Sequence, residues 1–286
     1  MDNKEIKDLE RQEKRHRKRT KKKKFDWKFL ISLIIPLSVF IFSACKLVSF
    51  YLEYQEGSVE YTQIENEVVE EVDVDSDMEI ADITVIRPFL KIDFDTLKKK
   101  NNDVIGWIHF EQPEIINYPI LAGIDNDKYL RRTVEGKYNS AGSIFADKNA
   151  SSDFSDTNTF IYGHNMKNGS MFGGLKKFKD IEYRNKNPYF YIYTPDGTEL
   201  MYEIFAACVV HTDDELYDRS YENDAEFQDY LKRIQKKTVY GDKIEMPDTE
   251  KIVSLSTCTS RVKTERLIVF GALKETRNIN ELEKSN

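Results

Sequence analysis

The stretch Lys251–Phe270 reads KIVSLSTCTSRVKTERLIVF, and its pattern predicts two β-strands joined by a tight polar connection. Cys258 stands at the end of the first strand. Arg261 lies in the connection, and Arg266 opens the second strand. A lone cysteine in such a pattern is usually inert packing, so the stretch by itself predicts two strands and no chemistry.

Alternation along the first of these strands places Cys258 on one face with Ser254 and Ser256. This is the more polar face, and it suits a thiol in a cleft better than a thiol in a core. A reactive cysteine needs a nearby cation that lowers its pKa, and an arginine can also hydrogen-bond the carbonyl oxygen of a substrate. Arg266 begins a strand and is better fixed than Arg261, so we favour Arg266 while both remain candidates.

From Gly106 onward the chain shows short β-type runs separated by turn residues such as Asp-Gly, Asn-Gly and Gly-Gly. Eight such runs predict a mostly β domain whose strands form a closed or nearly closed eight-stranded barrel. The runs are Trp107–Phe110, Ile116–Ile120, Ser143–Ala146, Thr157–Tyr162, Tyr189–Tyr193, Leu200–Val210, Ile252–Thr257 and Leu267–Leu273.

Helical patterns precede and interrupt the predicted barrel. A short helix is expected to begin at Asp93, and another is expected around Met171–Phe178. The segment Asp224–Lys237 is longer, and its apolar residues recur at the three- and four-residue spacing of one helix face. We therefore expect short peripheral helices and one longer helix before the last two strands.

His164 is the histidine whose position best suits chemistry, because it follows the strand that ends at Tyr162. A histidine at a strand end is about as often a structural group as a catalyst. Cys208 and His211 lie on opposite faces of one predicted strand, so we interpret them as structural and expect neither a metal nor a cofactor. A disulfide between Cys208 and Cys258 stays open at this point, and it would remove Cys258 as a nucleophile.

The N-terminal region is basic, although the whole chain has a formal net charge of −7. Residues 1–28 carry thirteen Lys/Arg against six Asp/Glu, and a basic head on an acidic body is unlike a nucleic-acid-binding domain. Phe29–Cys45 has no charged residue, and the apolar run continues past Lys46 to Leu52, which is long enough to cross a membrane. We expect an uncleaved anchor; a cleaved signal peptide and a lipoprotein signal ending at Cys45 are the alternatives.

The charges that flank the anchor predict its orientation. Lys and Arg crowd its N-terminal side, whereas none occurs from Leu47 to Ile86, so the N-terminus is expected in the cytoplasm and the rest outside the cell. The expected organisation is a basic cytoplasmic tail (1–28), a transmembrane anchor (29–52), an acidic spacer that stays extended (53–86), a folded domain (87–276) and a C-terminal tail (277–286).

Several motifs resemble those of one enzyme family. Leu255-Ser256-Thr257-Cys258, followed at eight residues by Arg266-Leu267-Ile268-Val269, resembles the active-site strand pair of sortases, and Tyr162-Gly163-His164-Asn165-Met166 resembles their histidine segment in its class B form. Four earlier stretches match the same class. They are Gly106-Trp107-Ile108, Ile116-Asn117-Tyr118-Pro119-Ile120, Asp125-Asn126-Asp127-Lys128-Tyr129-Leu130 and Ala141-Gly142-Ser143-Ile144-Phe145.

The resemblance implies a sortase-like β-barrel that works as a membrane-anchored cysteine transpeptidase without a metal or other cofactor. Cys258 would be the nucleophile, His164 the general acid and base, and Arg266 the group that holds the substrate carbonyl. A groove for the substrate would also be implied. Its expected lining is Asn126, Leu130, Tyr162, Ser256 and Thr257.

The implied substrate is the C-terminal sorting signal of a surface protein, of NPxTN type, which would be cleaved through a thioacyl-enzyme and transferred to an amine of cell-wall peptidoglycan. Two alternatives remain: a pilin polymerase that uses a lysine as acceptor, and a non-enzymatic surface binding module in which Cys258 and His164 are structural. Thr259 stands where some family members carry an acidic residue, so no acid role is expected at that position.

Overall fold

The computed structural model describes residues 3–19, 27–72, 89–113, 116–218, 221–259, 262 and 264–279. The chain divides into two compact units, Met1–Leu52 and Glu53–Asn286. The first unit contains helix α1 (Asn3–Arg19) and the beginning of helix α2 (Trp27–Val68), which has Pro36 in its interior. In the part of the chain that the structure describes, α2 is the one helix long and apolar enough to cross a membrane.

The second unit is built around a closed barrel of eight strands in the order β10-β8-β7-β3-β4-β5-β6-β9, so the predicted barrel is confirmed. Two neighbouring pairs are parallel, β4 with β5 and β6 with β9, and the remaining pairs are antiparallel. The barrel strands are β3 (Val104–His109), β4 (Asn117–Ala122), β5 (Ile144–Ala146), β6 (Asn158–Tyr162), β7 (Tyr189–Tyr193), β8 (Thr198–His211), β9 (Ile252–Cys258) and β10 (Glu265–Asn278).

Helices and 3₁₀ segments cover the outside of the barrel. Helix α5 (Asp224–Lys237) begins after the N-cap Asn223, whose side chain accepts a hydrogen bond from the Glu226 amide, and it presents its predicted apolar face to the barrel. Three further pieces are shorter: helix α3 (Phe94–Lys100), a 3₁₀ segment (Phe172–Lys179) and helix α4 (Ile181–Lys186). The last of these has no counterpart in the sequence expectations.

The extended conformation expected for the acidic segment 53–86 is not adopted by residues 53–68, which are helical. Helix α2 continues to Val68, and strand β1 (Val69–Val72) then pairs antiparallel with strand β2 (Phe89–Ile92). Residues 73–88 lie outside the described part of the chain. The C-terminal tail expected at 277–286 begins within β10, and residues 280–286 are likewise not described.

The periodicity of apolar residues explains why the acidic segment is helical. Gly57, Tyr61, Ile64 and Val68 are buried and recur at spacings of four, three and four residues, which is one face of a helix. Within the Glu53–Asn286 unit this face packs against the barrel domain, where the Tyr61 hydroxyl donates to the Gly142 carbonyl at 2.8 Å.

The acidic side chains on this part of α2 are also engaged. They contact amide and ammonium groups of the barrel domain, which lowers the charge repulsion that an isolated acidic segment would suffer. The contacts are Glu53 Oε1 with the Ser140 amide, Glu60 Oε1 with the Glu135 amide, Glu65 Oε1 with Asn117 Nδ2, and Glu67 Oε2 with Lys100 Nζ.

Candidate active site

The pairing of β9 with β10 places the cysteine beside an arginine. Cys258 and Arg266 are direct partners in this antiparallel ladder, so their side chains leave the sheet on the same face as neighbours. The Arg266 guanidinium donates from Nη1 to the Glu265 carbonyl at 3.1 Å. Across the connection, the Thr259 amide donates to the Glu265 carbonyl at 3.1 Å, which closes the hairpin. Arg261 lies outside the described residues.

The histidine reaches the same place from strand β6. Tyr162 of β6 pairs with Ser256 of β9 in a parallel ladder, so His164, two residues further, lies level with Cys258. Two hydrogen bonds hold the chain there: the Thr257 hydroxyl donates to the Gly163 carbonyl at 2.7 Å, and Asn165 Nδ2 donates to the Cys258 carbonyl at 2.8 Å.

Gly163 lies at the bend between β6 and His164, where the surrounding side chains leave little room for a Cβ. A Cβ at this position would lie 2.5 Å from Ile144 Cδ1 and 2.8 Å from Phe172 Cδ2, closer than such atoms approach in proteins. With any larger residue, the Ile144 side chain, the Phe172 ring or the backbone of this bend would have to shift. The close packing at Gly163 therefore helps to set the position of the His164 backbone.

The hydrogen bond of His164 defines its tautomer. Its Nε2 lies 2.7 Å from the Leu130 carbonyl oxygen, and a carbonyl oxygen only accepts, so Nε2 carries a hydrogen. In the neutral ring, Nδ1 is then the nitrogen with the lone pair. The imidazole can therefore take up and return a proton at Nδ1 while Nε2 stays bound to Leu130.

These side chains line one cleft of about 350 Å³ at the end of the barrel. All eight residues that the sequence assigned to the site lie in its wall, together with four that the sequence did not single out. The predicted residues are Asn126, Leu130, Tyr162, His164, Ser256, Thr257, Cys258 and Arg266. The additional residues are Phe145, Gly163, Thr212 and Tyr217.

The two cysteines of the barrel unit differ in accessibility. Both are free thiols, so the disulfide left open by the sequence is not formed. Cys208 is buried on β8 with its thiol against the Ile234 carbonyl, and burial raises its pKa to about 12. Cys258 is partly exposed in the cleft. Since the thiolate is the reactive form, the geometry makes Cys258 the accessible thiol and Cys208 an inert one.

Tyr217 forms part of the cleft that the sequence did not reveal. It ends a short 3₁₀ turn (Glu215–Tyr217) after β8, and its hydroxyl lies 2.8 Å from Ser256 Oγ. Burial raises the pKa of Tyr217, and the Ser256 hydrogen bond and the charge of Arg266 partly offset this effect. No hydrophobic period or motif marks this turn, so only the fold brings the ring into the cleft.

A second polar group lies behind the cleft wall. Asn126 Nδ2 and the Tyr162 hydroxyl both donate to Oδ2 of Asp147, at 2.8 Å and 3.1 Å. Asp147 directly follows β5 and is 2% exposed. In the sequence, nothing marks Asp147 beyond the presence of a polar residue at the end of a predicted strand.

The other histidines with described side chains do not line the cleft. His109 is on β3, where its Nδ1 is 3.2 Å from Asn117 Oδ1. His211 ends β8 and pairs with Asp213 at the surface. Within the described ranges, no group of three or more His, Cys, Asp or Glu side chains is arranged to hold a metal ion.

Comparison with known proteins gives one family. Residues 110–274 match the family model described as the sortase domain. Sortase B of Listeria monocytogenes serovar 1/2a is 37% identical over 179 residues, which cover 62% of this chain and 72% of that protein. Sortase B of Staphylococcus aureus is 25% identical over 255 residues, which cover 85% of this chain and 95% of that protein.

Solved structures show the same barrel. Sortase B from B. anthracis in complex with AAEK1 superposes with a TM-score of 0.64 at 29% identity, over 79% of this chain and 99% of that one. The Staphylococcus aureus sortase B–substrate complex gives a TM-score of 0.58 at 28% identity, over 64% of this chain and 84% of that one. The likeness therefore extends over sequence and fold together.

Proposed function

Because the chain belongs to the sortase family and is a cysteine transpeptidase of class B, we propose that Cys258 cleaves the C-terminal sorting signal of a surface protein and transfers the protein to an amine of the cell wall. The observation that supports this most directly is that Cys258, His164 and Arg266 line one cleft although they come from three different strand ends. A nucleophile, a proton carrier and a fixed cation are the groups that acyl transfer to an amine requires.

In the first half of the reaction, the thiol proton of Cys258 passes to Nδ1 of His164, and the thiolate attacks the carbonyl carbon of the scissile peptide bond. Arg266 hydrogen-bonds the oxyanion of the tetrahedral intermediate, and one such donor is worth about 3–4 kcal/mol. The carbon–nitrogen bond then breaks. His164 returns its proton to the leaving amine, and a thioester on Cys258 remains.

In the second half, the acceptor amine attacks the thioester carbonyl and gives its proton to His164. The tetrahedral intermediate collapses, the new peptide bond forms, and the sulfur of Cys258 leaves as a thiolate that regains its proton from His164. We propose that the acceptor is an amine of a peptidoglycan precursor. The second half of the reaction thus uses the same three side chains as the first half, with the steps in reverse order.

The remaining cleft residues are proposed to bind the sorting signal, which we take to be of NPxTN type. Leu130 supplies an apolar contact and Asn126, Tyr162 and Ser256 supply polar ones, a mixture typical of sites that bind a defined peptide. Thr257 belongs to the same wall, with its hydroxyl bound to the Gly163 carbonyl. The substrate complex of the Staphylococcus aureus relative supports a peptide partner of this kind.

We further propose that α2 anchors the protein in the cell membrane with residues 1–28 in the cytoplasm and the barrel outside. The charge-free stretch of α2 and the basic residues before it support this orientation. The intact mass of the protein recovered from a membrane fraction tests it. A mature protein that lacks residues 1–45 would contradict the uncleaved anchor.

A fluorogenic NPxTN peptide tests the proposed chemistry. Wild-type protein should cleave it, Cys258→Ala and His164→Ala should abolish cleavage, and Arg266→Ala should reduce it strongly while Arg261→Ala has little effect. Cleavage by the Cys258→Ala protein at the wild-type rate would refute the proposal. A loss with Arg261→Ala but not with Arg266→Ala would reverse the choice of arginine, and acceptance of a pilin-type lysine in place of a peptidoglycan amine would favour the polymerase alternative.

A further inference from the structure

Asp147 is a buried carboxylate that takes no part in the proposed chemistry, yet it lies directly behind the cleft. It is 2% exposed, and its backbone amide donates to the Phe160 carbonyl at 2.9 Å, which ties it to β6. A carboxylate removed from water is costly unless several donors surround it. The donors that surround this one therefore indicate what it does.

Among the residues that the structure describes, three donors approach the Asp147 carboxylate, and they use both of its oxygens. Oδ2 accepts from Asn126 Nδ2 at 2.8 Å and from the Tyr162 hydroxyl at 3.1 Å. Oδ1 accepts from the Asn149 amide at 3.0 Å. An amide N–H only donates, so the bonds from Asn126 and from the Asn149 amide have a defined direction, and the Tyr162 hydroxyl likewise donates to Oδ2.

The direction of these bonds determines whether Tyr162 and Asn126 can donate or accept a hydrogen bond toward a ligand in the cleft. The Tyr162 hydroxyl spends its single hydrogen on Asp147, so it can only accept from a group in the cleft. Two hydrogen bonds define the orientation of the Asn126 amide: Nδ2 donates to Asp147, and Oδ1 accepts from the Lys148 backbone amide at 2.8 Å. The second hydrogen of Nδ2 is then what Asn126 can donate.

We propose that Asp147 is a positioning residue of this enzyme, which holds Tyr162 as a hydrogen-bond acceptor and Asn126 as a donor toward the bound sorting signal. An amide group of the peptide supplies the matching pair, an N–H for Tyr162 and a C=O for Asn126. This inference rests on the proposed function for the identity of the ligand. The assignment of Tyr162 as acceptor and Asn126 as donor follows from the hydrogen bonds alone.

The substitution Asp147→Asn is nearly isosteric and separates charge from shape. An asparagine has one acceptor oxygen, whereas the three donors require acceptors on both sides of the group. Whichever way the new amide turns, its NH₂ faces either the Asn149 amide or the Asn126–Tyr162 pair. Asp147→Asn therefore releases at least one of the ordered contacts, and Asp147→Ala, which has no acceptor on either side, releases the Asn126 and Tyr162 contacts together.

Kinetics of the full-length protein in detergent micelles test the role. Asp147→Asn should lower kcat/KM for the fluorogenic sorting peptide roughly 10- to 100-fold, as expected for the loss of hydrogen bonds to a charged group, with the change mainly in KM. Alkylation of Cys258 by a small thiol reagent should keep its wild-type rate, since that reaction does not use the peptide contacts. Tyr162→Phe combined with Asp147→Asn should cost less than the sum of the single effects.

Asp196→Asn provides a control for the same change of side chain at an exposed carboxylate outside the cleft. Asp196 accepts from the Thr194 hydroxyl and the Thr198 amide in the turn before β8, at the opposite end of that strand from the cleft. The Asp196→Asn variant should change the thermal stability of the protein and leave KM for the sorting peptide unaltered. If Asp147→Asn instead lowers stability, the alkylation rate and kcat together with no change in KM, the residue is merely structural and the proposal is wrong. Additive effects with Tyr162→Phe would also overturn it.

Crystal structures of the wild type and of Asp147→Ala, which leaves no acceptor for either side chain, separate this proposal from the proposed function, because they need no substrate. The proposal requires the Tyr162 hydroxyl or the Asn126 amide to turn away from its present direction in the variant. Unchanged positions of both side chains would refute it even if the enzyme cleaves sorting peptides. A rearranged pair in a protein that cleaves no sorting peptide would support the positioning role and count against the function.

Discussion

The packing of α2 on the barrel unit gives a prediction that can be worked out in detail. Ile64 lies on the buried face of this helix and is 1% exposed, whereas Val59 lies on the outer face and is 51% exposed. Both are β-branched residues in the same helix, so their alanine variants differ mainly in burial. The comparison asks whether residues 53–68 belong to the folded domain or form a spacer.

The expected magnitude follows from the volume removed. Ile64→Ala leaves a cavity between the helix and the barrel, and such deletions cost about 2–5 kcal/mol. For a unit of this size, about 3 kcal/mol corresponds to a decrease in Tm of roughly 6–12 °C. Val59→Ala removes exposed methyl groups and improves helix propensity, so it should stay within about 0.5 kcal/mol of the wild type.

Urea unfolding of the fragment 53–286, followed by circular dichroism and by tryptophan fluorescence, measures both variants. The fragment corresponds to the second compact unit of the chain. Equal stabilities for Ile64→Ala and Val59→Ala would refute the packing of α2 and restore the spacer interpretation. If the loss is confined to Ile64→Ala, fragments that lack residues 53–68 are expected to be less stable than the fragment 53–286.

Three further predictions concern charges and thiols. Arg266→Ala should lower kcat by about 10²–10³ while Arg266→Lys recovers part of it, because one oxyanion donor is lost; equal rates for wild type and Arg266→Ala would contradict this role. In the native protein, iodoacetamide should label Cys258 and spare Cys208, whose pKa burial raises to about 12, and urea should expose both; native labelling of Cys208 would disprove its burial. The side-chain and backbone hydrogen bonds from Thr96 lower the pKa of the helix N-cap Asp93, so its stabilisation is present above the unfolded pKa of about 4 and lost as pH falls through the lower folded value. Asp93→Ala should therefore have an unfolding free energy about 1 kcal/mol below that of the wild type at pH 7. This difference in unfolding free energy should become smaller below pH ~4. A difference that does not change with pH would contradict the capping role of Asp93.

The barrel could be predicted from sequence because its strands are short, apolar and separated by turn residues. Helix α5 was predicted with its observed bounds, since four apolar residues at helical spacing follow a good N-cap. The cleft residues were found for a different reason. Their motifs resembled a known family, and alternation alone placed Cys258 on the polar face of β9 without indicating what surrounds it.

The acidic segment differs from its predicted extended conformation because its high content of Asp and Glu conceals the helical period of its apolar residues. Twelve acidic residues between Glu53 and Asp82 predict a solvated chain, whereas four buried positions at helical spacing decide the structure of its first half. The partners of those acids, such as the Ser140 amide, come from distant parts of the chain. Single-sequence reasoning has no access to such tertiary partners.

Tyr217 and Asp147 were missed for a related reason. Tyr217 lies in a short turn after β8 and reaches the cleft through the path of the chain around the barrel. Asp147 follows a strand of three residues and becomes informative only when Asn126 and Tyr162 are placed on either side of it. In both cases the function of the side chain depends on neighbours far away in sequence.

Mass spectrometry of the enzyme during turnover tests the central claim most directly. Wild-type protein mixed with an NPxTN peptide and quenched in acid should carry one acyl fragment of the peptide on Cys258, and hydroxylamine should remove it as expected for a thioester. His164→Ala and Cys258→Ala should show no such adduct. Turnover without an adduct on Cys258, or an adduct on any other residue, would contradict the account.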